Sequence, residues 1–313
     1  MKTVFMFSGQ GAQYAGMGKD LYTNYSVAKE VFDRADEVLG YSIKDICFTD
    51  EAKLGETEFA QPAILTMSIA AMKVLEEEGV RADMTAGLSL GEYSAYVASG
   101  AMDFEEAVAL VQKRGKFMAE AVPSGEGAMY AIIGLDTELV EQACKEATEQ
   151  GDGLAVPANY NAPGQIVIAG HTKTAAEAAR IAKEKGARMA VPLKVSGPFH
   201  TELLQPAAEK LGPELDKLQI HSMNIPVYTN VNGEVVPSEQ DIVPILKKQI
   251  VSPVRWETTI RNMAEQGADT FIELGPGKTL NGFVKRTIKG VTNVNVEDRI
   301  SLGKTMDKLH EIV

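Results

Sequence analysis

The pentapeptide Gly87-Leu88-Ser89-Leu90-Gly91 is the most informative stretch of this chain. It matches G-x-S-x-G, the pattern of a nucleophile elbow, in which a sharp turn between a strand and a helix exposes a serine hydroxyl. Two glycines suit such a turn because side chains there would crowd the backbone. The flanks agree, since 82–87 can form a short buried strand and 90–98 contains helix formers. An ordinary structural turn could have the same residues. The pattern therefore indicates catalysis only if the other groups of an acyl-transfer site are present elsewhere in the chain.

The composition is that of a globular protein. The chain has 313 residues, 45% hydrophobic and 24% charged, enough for one large core or for a main domain with a smaller one. Its net charge of −12 argues against a general nucleic-acid-binding role, which needs a basic surface. The two cysteines show no disulfide or metal-binding spacing, which suits a reducing cytoplasm. No signal-peptide pattern and no apolar run of ~20 residues is present, so no membrane span is expected.

Short apolar runs alternate with helical patterns along most of the chain. Strands are predicted at 4–7, 82–87, 226–230 and 270–274. Helices are predicted at 28–39, 62–78, 103–121 and from about 200 to 218. This alternation predicts an α/β fold with a mostly parallel sheet that is covered on both faces.

The pattern changes between residues 127 and 194. Predicted strands and helices follow one another there as β-α-β-β-α-β, at 128–133, 137–149, 154–159, 165–169, 172–185 and 188–194. This order is the signature of a ferredoxin-like fold. Pro123–Gly125 and Ser196–Pro198 have the composition of hinges. We therefore expect a large domain of residues 1–125 and 196–313, with a small inserted domain of residues 126–195.

A serine hydroxyl needs a base to act as a nucleophile at neutral pH. Of the four histidines, His200 is the best candidate, because it follows a Gly-Pro turn at the return from the predicted insert. A helix-start histidine that bonds to local backbone is the alternative. No motif marks an acid between Ser89 and His200, so a backbone carbonyl or an amide side chain is a possible orienting group. Gln249 is a candidate, although a solvated glutamine at a helix end would look the same.

An acyl-transfer site also needs hydrogen-bond donors for the transition-state oxyanion. In an elbow the N–H after the serine, here that of Leu90, supplies one donor. The loop after the first strand, around Gln10, is a second source, because such loops face the site in parallel sheets, but Ser8–Gly11 also suits an ordinary glycine turn. Arg114 lies in a predicted helix. Facing inward it would bind a substrate carboxylate in a bidentate pair, and facing outward it would be a solvated charge.

Five segments together resemble the malonyl-CoA:acyl carrier protein transacylases, the acyltransferases of type II fatty-acid synthesis. They are Phe7–Gln13 (FSGQGAQ), Gly87–Ala95 (GLSLGEYSA), Arg114–Met118 (RGKFM), Gly197–His200 (GPFH) and Gln249–Trp256 (QIVSPVRW). Each motif is modest alone, but five in this order are highly specific. The similarity extends to Gly275–Gly277 and so covers nearly the whole chain.

The resemblance implies a catalytic role for each of five residues. Ser89 would be the nucleophile that becomes a malonyl ester, and His200 the general base and acid. Gln249 would orient His200 through its main-chain carbonyl. The main-chain amides of Gln10 and Leu90 would form the oxyanion hole.

The resemblance also implies a substrate site, a fold and partners. Arg114 would bind the malonyl carboxylate, and Asn159 and Phe199 would line the site, Phe199 being typical of malonyl-selective members. The fold would combine a hydrolase-like large domain with a ferredoxin-like insert. Malonyl-CoA would be the donor and acyl carrier protein the transient acceptor in a ping-pong reaction without a cofactor or metal. We expect a cytoplasmic monomer that binds neither nucleic acid nor a membrane.

Three positions depart from the family pattern, which often has histidine at Leu88, proline at Ser8 and serine at Thr201. None of these changes removes a reacting group. Two other functions stay open on the residues alone. A serine hydrolase or thioesterase would use the same serine, histidine and oxyanion donors with water as the acceptor, and a non-catalytic module would use the fold to hold acyl-CoA.

Two basic patches are candidates for docking an acidic carrier protein. One consists of Lys278, Lys285, Arg286 and Lys289. The other consists of Lys183, Lys185 and Arg188. Solvated helix faces would have the same composition, so the sequence does not choose among these interpretations.

Overall fold

The computed structural model describes residues 1–312. Within that range the chain forms nine strands, in two sheets. They are β1 (Thr3–Phe7), β2 (Met84–Gly87), β3 (Gly127–Ile133), β4 (Ala155–Ala162), β5 (Gln165–His171), β6 (Met189–Pro192), β7 (Val227–Tyr228), β8 (Thr270–Leu274) and β9 (Thr292–Val296).

Helices connect and cover the strands. They are α1 (Lys19–Asn24), α2 (Ser26–Leu39), α3 (Ile43–Phe48), α4 (Glu51–Leu54), α5 (Thr57–Glu77), α6 (Gly91–Ala98), α7 (Phe104–Glu120), α8 (Thr137–Gln150), α9 (Thr172–Glu184), α10 (Gln205–Leu215), α11 (Glu239–Gln249), α12 (Trp256–Glu265), α13 (Thr279–Thr287) and α14 (Arg299–Ile312). Among the helices within residues 1–312, none has the length and apolar character needed to span a bilayer.

The larger sheet is parallel and has the strand order β7-β2-β1-β8-β9. All five residues of β1 are buried, as expected for a central strand with helices on both faces. Phe7, the last residue of β1, is paired with Gly87 of β2 and with Leu274 of β8. The carboxyl ends of the three central strands therefore meet at one edge, where the loops that follow them lie side by side.

The smaller sheet is antiparallel and has the strand order β4-β5-β3-β6. Helices α8 and α9 pack against each other and against this sheet. Residues such as Ile132, Val140 and Ile168 form a hydrophobic core that is separate from the core around the parallel sheet. The prediction of an α/β fold with a mostly parallel sheet and a small second sheet is confirmed.

Two backbone hydrogen bonds join the small sheet to the rest of the chain. Val254 N–H donates to the carbonyl of Ala158 at 2.8 Å, and Tyr160 N–H donates to the carbonyl of Val254 at 2.8 Å. Arg255 also lies over the ring of Tyr160, 4.7 Å from its centroid. The segment after α11 is therefore fixed against the middle of β4.

Outside the small sheet, the structure differs from the sequence-based predictions at three places. The helix predicted to begin near His200 begins at Gln205, after a 3-10 turn at Glu202–Leu204, because His200 itself has a left-handed backbone conformation. The strand predicted at 226–230 is only two residues long, as β7. Strand β9 was not predicted, since three of its five residues (TNVNV) are polar and the strand is half-buried at a sheet edge.

Candidate active site

The elbow forms at the end of β2, and its glycines are required by close backbone contacts. A Cβ atom on Gly87 would lie 1.9 Å from the carbonyl carbon of Gly91, and one on Gly91 would lie 2.2 Å from the carbonyl oxygen of Phe7. Between them Ser89 has a φ of 54°, in the left-handed region. The strand, turn and helix predicted around Ser89 are therefore all present.

The side chain of Asn230 holds this turn from the neighbouring strand. Its Oδ1 accepts from Ser89 N–H at 2.7 Å, and its Nδ2 donates to the carbonyl of Gly87 at 2.7 Å. Asn230 is fully buried two residues after β7. Asn230 was not identified from the sequence, although an asparagine at the end of the strand predicted at 226–230 was an available signal.

The structure brings Ser89 and His200 together across 111 residues of chain. Ser89 Oγ lies 2.7 Å from His200 Nε2. Among residues 1–312 these two are the only non-glycine residues with positive φ, His200 at 59°. Such backbone strain costs on the order of 1–3 kcal/mol per residue and clusters at functional sites, where surrounding contacts enforce it.

Two main-chain carbonyls orient the imidazole. His200 Nδ1 donates to the carbonyl of Gln249 at 3.1 Å and to that of Ser252 at 3.2 Å. Because carbonyls only accept, the proton of the neutral ring is on Nδ1, and Nε2 faces Ser89 Oγ as an acceptor. No side-chain acid is needed for this tautomer. Ser252 was not identified from the sequence.

Burial keeps the base neutral. Burial of the ring, together with the nearby positive charge of Arg114, lowers the pKa of His200 to about 4, against the two carbonyl contacts that raise it. At neutral pH the imidazole can therefore accept the proton of Ser89 Oγ.

Arg114 points inward from α7 and is fully buried, so the alternative of a solvated surface charge is wrong. Its Nη1 donates to Gln61 Oε1 at 2.9 Å, and its Nη2 donates to Gln249 Oε1 at 3.0 Å and to Ser89 Oγ at 3.3 Å. The guanidinium carbon lies 5.3 Å from the ring centroid of Tyr93. Burial lowers the pKa of Arg114, yet a guanidinium stays charged at neutral pH.

The side chain of Gln249 is also buried, so its alternative as a solvated helix-end residue is wrong. Leu90 directly precedes α6, where the first N–H groups of a helix have no partner within it. Gln10 lies in the loop after β1, and its Nε2 donates to Thr57 Oγ1 at 3.0 Å. Leu90 therefore follows the serine of the elbow directly, and Gln10 lines the same cavity as Ser89.

A cavity of about 310 Å³ opens next to these groups, between the two sheets. Ser89, His200 and Gln10 line one wall, and Asn159 of β4 lines the other. Phe199 also lines it, as do Leu88, Met118 and Met129. Within residues 1–312 no cluster of three or more side chains suited to a metal ion occurs.

A half-buried serine on an elbow, with a neutral imidazole in contact, defines a class of α/β enzymes with a serine nucleophile. The acyl transferase domain family matches residues 4–310 of this chain. The chain belongs to this family, among its malonyl CoA-acyl carrier protein transacylases. The family resemblance read from the five sequence segments is therefore confirmed.

Individual relatives are similar over nearly their whole length. A malonyl CoA-acyl carrier protein transacylase of Bacillus subtilis is 48% identical over 311 residues, 99% of this chain and 98% of that protein. The crystal structure of the corresponding protein from Clostridium perfringens is 48% identical with a TM-score of 0.96, covering 100% of this chain and 98% of that one. A malonyl-transacylase solved in complex with its type II PKS acyl-carrier protein is 40% identical with a TM-score of 0.95, covering 98% and 100%.

Proposed function

We propose that this protein transfers the malonyl group of malonyl-CoA to the phosphopantetheine thiol of acyl carrier protein, through a malonyl ester of Ser89. The observation that carries the proposal is the 2.7 Å contact between Ser89 Oγ and His200 Nε2 beside the buried guanidinium of Arg114. The names of the relatives support the donor and the acceptor.

The first half-reaction makes the ester. His200 Nε2 accepts the proton of Ser89 Oγ as the oxygen attacks the thioester carbon. The resulting oxyanion accepts hydrogen bonds from the main-chain amides of Leu90 and Gln10. Its collapse breaks the carbon–sulfur bond, and the CoA thiolate takes the proton from His200.

The second half-reaction reverses these steps with a different thiol. The phosphopantetheine thiol enters the same cavity and gives its proton to His200 Nε2. The sulfur attacks the ester carbon, and the second tetrahedral intermediate uses the same two amides. Ser89 leaves as an alcohol after regaining the proton from His200, so the enzyme returns to its initial state.

Arg114 selects the acyl group in this proposal. Its planar fork, 3.3 Å from Ser89 Oγ, is placed to pair with the free carboxylate of a malonyl ester. An acetyl group leaves the buried charge without an anionic partner, which is costly in a low-dielectric site. Asn159 and Phe199 would complete the wall around the acyl chain.

Helix α13 is the surface that we propose for carrier docking. Thr279 and Phe283 of this helix line the cavity, and Lys285 and Arg286 are exposed on it. On the small domain Lys185 is already paired with Glu146 at 2.7 Å. An acidic carrier protein would therefore find free positive charge nearest the cavity on α13.

The finer description of the fold is part of the proposal. We assign residues 1–125 and 196–313 to a hydrolase-like catalytic domain and residues 126–195 to a ferredoxin-like insert. The order β3-α8-β4-β5-α9-β6 and the antiparallel sheet support the second assignment. We also propose a cytoplasmic monomer that needs no cofactor and binds neither nucleic acid nor a membrane.

Incubation with radiolabelled malonyl-CoA tests the function. We expect one label on Ser89, found by peptide mapping, that persists until holo acyl carrier protein is added and then appears on the carrier. Ser89→Ala is the matched control and should take no label. Rapid release of free malonate without the carrier would instead indicate a hydrolase, and the absence of covalent label would indicate a binding module.

A further inference from the structure

A fully buried carboxylate lies directly behind the elbow, and the proposed chemistry does not use it. Glu92 is in the first turn of α6 and has no solvent exposure. Its Oε2 accepts from Gln249 Nε2 at 2.9 Å and from Asn230 N–H at 3.0 Å. Its Oε1 accepts from the hydroxyl of Tyr96 at 3.1 Å. Burial raises the pKa of Glu92, which its hydrogen bonds partly offset.

The contact with Glu92 fixes which way the amide of Gln249 points. Gln249 Nε2 donates to Glu92 Oε2 and, at 2.9 Å, to the carbonyl of Ser89, and both partners are acceptors. Gln249 Oε1 accepts from Arg114 Nη2 at 3.0 Å, and a guanidinium can only donate. A rotation of the Gln249 amide by 180° would place its NH₂ group against the NH₂ group of Arg114. Its oxygen would then face the oxygens of Glu92 and Ser89.

The amide orientation in turn positions the guanidinium. The three hydrogen bonds of Arg114 go to neutral oxygens, those of Gln61, Gln249 and Ser89. The Gln249 contact is the one that shares Nη2 with Ser89 Oγ. If the Gln249 amide rotated, Arg114 Nη2 would lose the closer of its two acceptors, Gln249 Oε1 at 3.0 Å. The guanidinium would then lose the contact that holds it next to Ser89 Oγ.

We propose that Glu92 is a positioning residue for substrate selection: by accepting from Gln249 Nε2, it holds Gln249 Oε1 against Arg114 and so keeps the guanidinium aimed at the acyl site. The inference rests on the proposed function, because it assumes that Arg114 binds the malonyl carboxylate. It assigns Glu92 no contact with the substrate.

The test compares a variant that removes the acceptor with one that keeps it. Glu92→Met is of similar length and removes the side-chain acceptor of Gln249 Nε2, so that only the carbonyl of Ser89 still accepts from it. Glu92→Gln can still place an amide oxygen towards Gln249 and its NH₂ group towards the hydroxyl of Tyr96, which can accept. Tyr96→Phe is the matched control, because it removes a different contact of the same carboxylate.

Single-turnover acylation of Ser89 is measured with malonyl-CoA and with acetyl-CoA by quenched-flow mass spectrometry. For Glu92→Met we expect the malonyl-to-acetyl ratio of kcat/KM to fall about tenfold or more, chiefly through KM for malonyl-CoA. Glu92→Gln and Tyr96→Phe should keep the ratio within about threefold of the wild type. Equal losses with both thioesters in Glu92→Met, or a loss in Glu92→Gln as large as that in Glu92→Met, would overturn the proposal.

A double-mutant cycle separates positioning from general damage. In an Arg114→Ala background, adding Glu92→Met should not change the malonyl-to-acetyl ratio further, because the residue that it positions is gone. A further fall in that background would contradict the inference. Failure of the proposed function itself is recognised separately, since the wild type would then not be acylated by malonyl-CoA.

A second variant keeps the inference testable if Glu92→Met does not fold. Gln249→Met cuts the same connection from its other end and leaves the main-chain carbonyl that holds His200. It should lower the malonyl-to-acetyl ratio as Glu92→Met does, and because the ratio compares two thioesters on the same variant, any common loss of Ser89 reactivity cancels. An unchanged ratio in folded Gln249→Met would overturn the proposal.

Discussion

The guanidinium of Arg114 and the imidazole of His200 face the same hydroxyl, with Arg114 Nη2 at 3.3 Å and His200 Nε2 at 2.7 Å from Ser89 Oγ. The fixed positive charge adds to burial in lowering the pKa of the imidazole to about 4. The group that we propose to bind the malonyl carboxylate thus also helps to keep the imidazole deprotonated.

The first prediction concerns pH. The imidazole accepts the serine proton only when neutral, so labelling of Ser89 by an uncharged fluorophosphonate should be flat from pH 6 to 8 and fall at acid pH around 4. In Arg114→Leu one cause of the lowered pKa is removed, and the acid limb should move to higher pH. The rate of labelling against pH measures both. A wild-type limb at about 6.5, the ordinary value for histidine, would refute this account.

The second prediction concerns selectivity. Arg114→Ala should lower kcat/KM for malonyl-CoA about 100-fold, equivalent to two charge-assisted hydrogen bonds of ~1.5 kcal/mol each. The kcat/KM for acetyl-CoA should rise above its wild-type value, because the buried charge that acetyl leaves unpaired is gone. Lys113→Ala is a matched control on the same helix, where Lys113 pairs with Glu214 at the surface. Unchanged selectivity in Arg114→Ala would contradict the assigned role.

The third prediction concerns the elbow. Gly87→Ala should lower the thermal midpoint by roughly 5–10 °C, because its Cβ would lie 1.9 Å from backbone atoms that cannot move apart. Gly282→Ala on α13 is the control. A Cβ there has no neighbour within 4 Å, so the change should stabilise by about 0.5–1 kcal/mol. Calorimetry of both variants decides, and equal midpoints would show that the elbow tolerates a side chain.

The fourth prediction concerns the carrier surface. The double charge reversal Lys285→Glu with Arg286→Glu should raise KM for holo acyl carrier protein about tenfold at low salt, and should leave KM for malonyl-CoA unchanged. Added salt should narrow the difference, since exposed charges are screened. The reversal Lys183→Glu with Lys185→Glu on the small domain should have little effect. If steady-state assays show a larger rise in KM for the carrier with the Lys183 and Lys185 reversal, the carrier docks on the insert and not on α13.

Some parts of the site were accessible from the sequence because they belong to short local motifs. The elbow around Ser89, the turn before His200 and the glutamine at the end of α11 each have a recognisable neighbourhood. The inward direction of Arg114 was not decidable, because a helix pattern with a single arginine does not say which face is covered. The family resemblance, and not periodicity, supplied its role.

The remaining parts depend on tertiary packing. Glu92 and Asn230 are polar residues that lie 138 positions apart in the chain. They become fully buried only because β7 ends beside the elbow. Ser252 contributes through its carbonyl, which every residue type shares, so its side chain gives no signal. The start of α10 was misplaced for a similar reason, since the left-handed backbone of His200 is imposed by the site and not by local propensity.

The neutral carbonyls behind the imidazole have a consequence for the choice of leaving group. Without a carboxylate partner, the imidazolium formed during attack has no anion to stabilise it, and it gives up its proton readily. Sulfur needs little protonation to depart, because thiols ionise near pH 8.5, whereas an amine leaves only when it is firmly protonated. Departure of a thiol therefore needs only a weak interaction with the proton of the His200 imidazolium. The same short-lived imidazolium can protonate either of the two thiols as it leaves. Malonyl transfer can therefore run in both directions through one arrangement of the site.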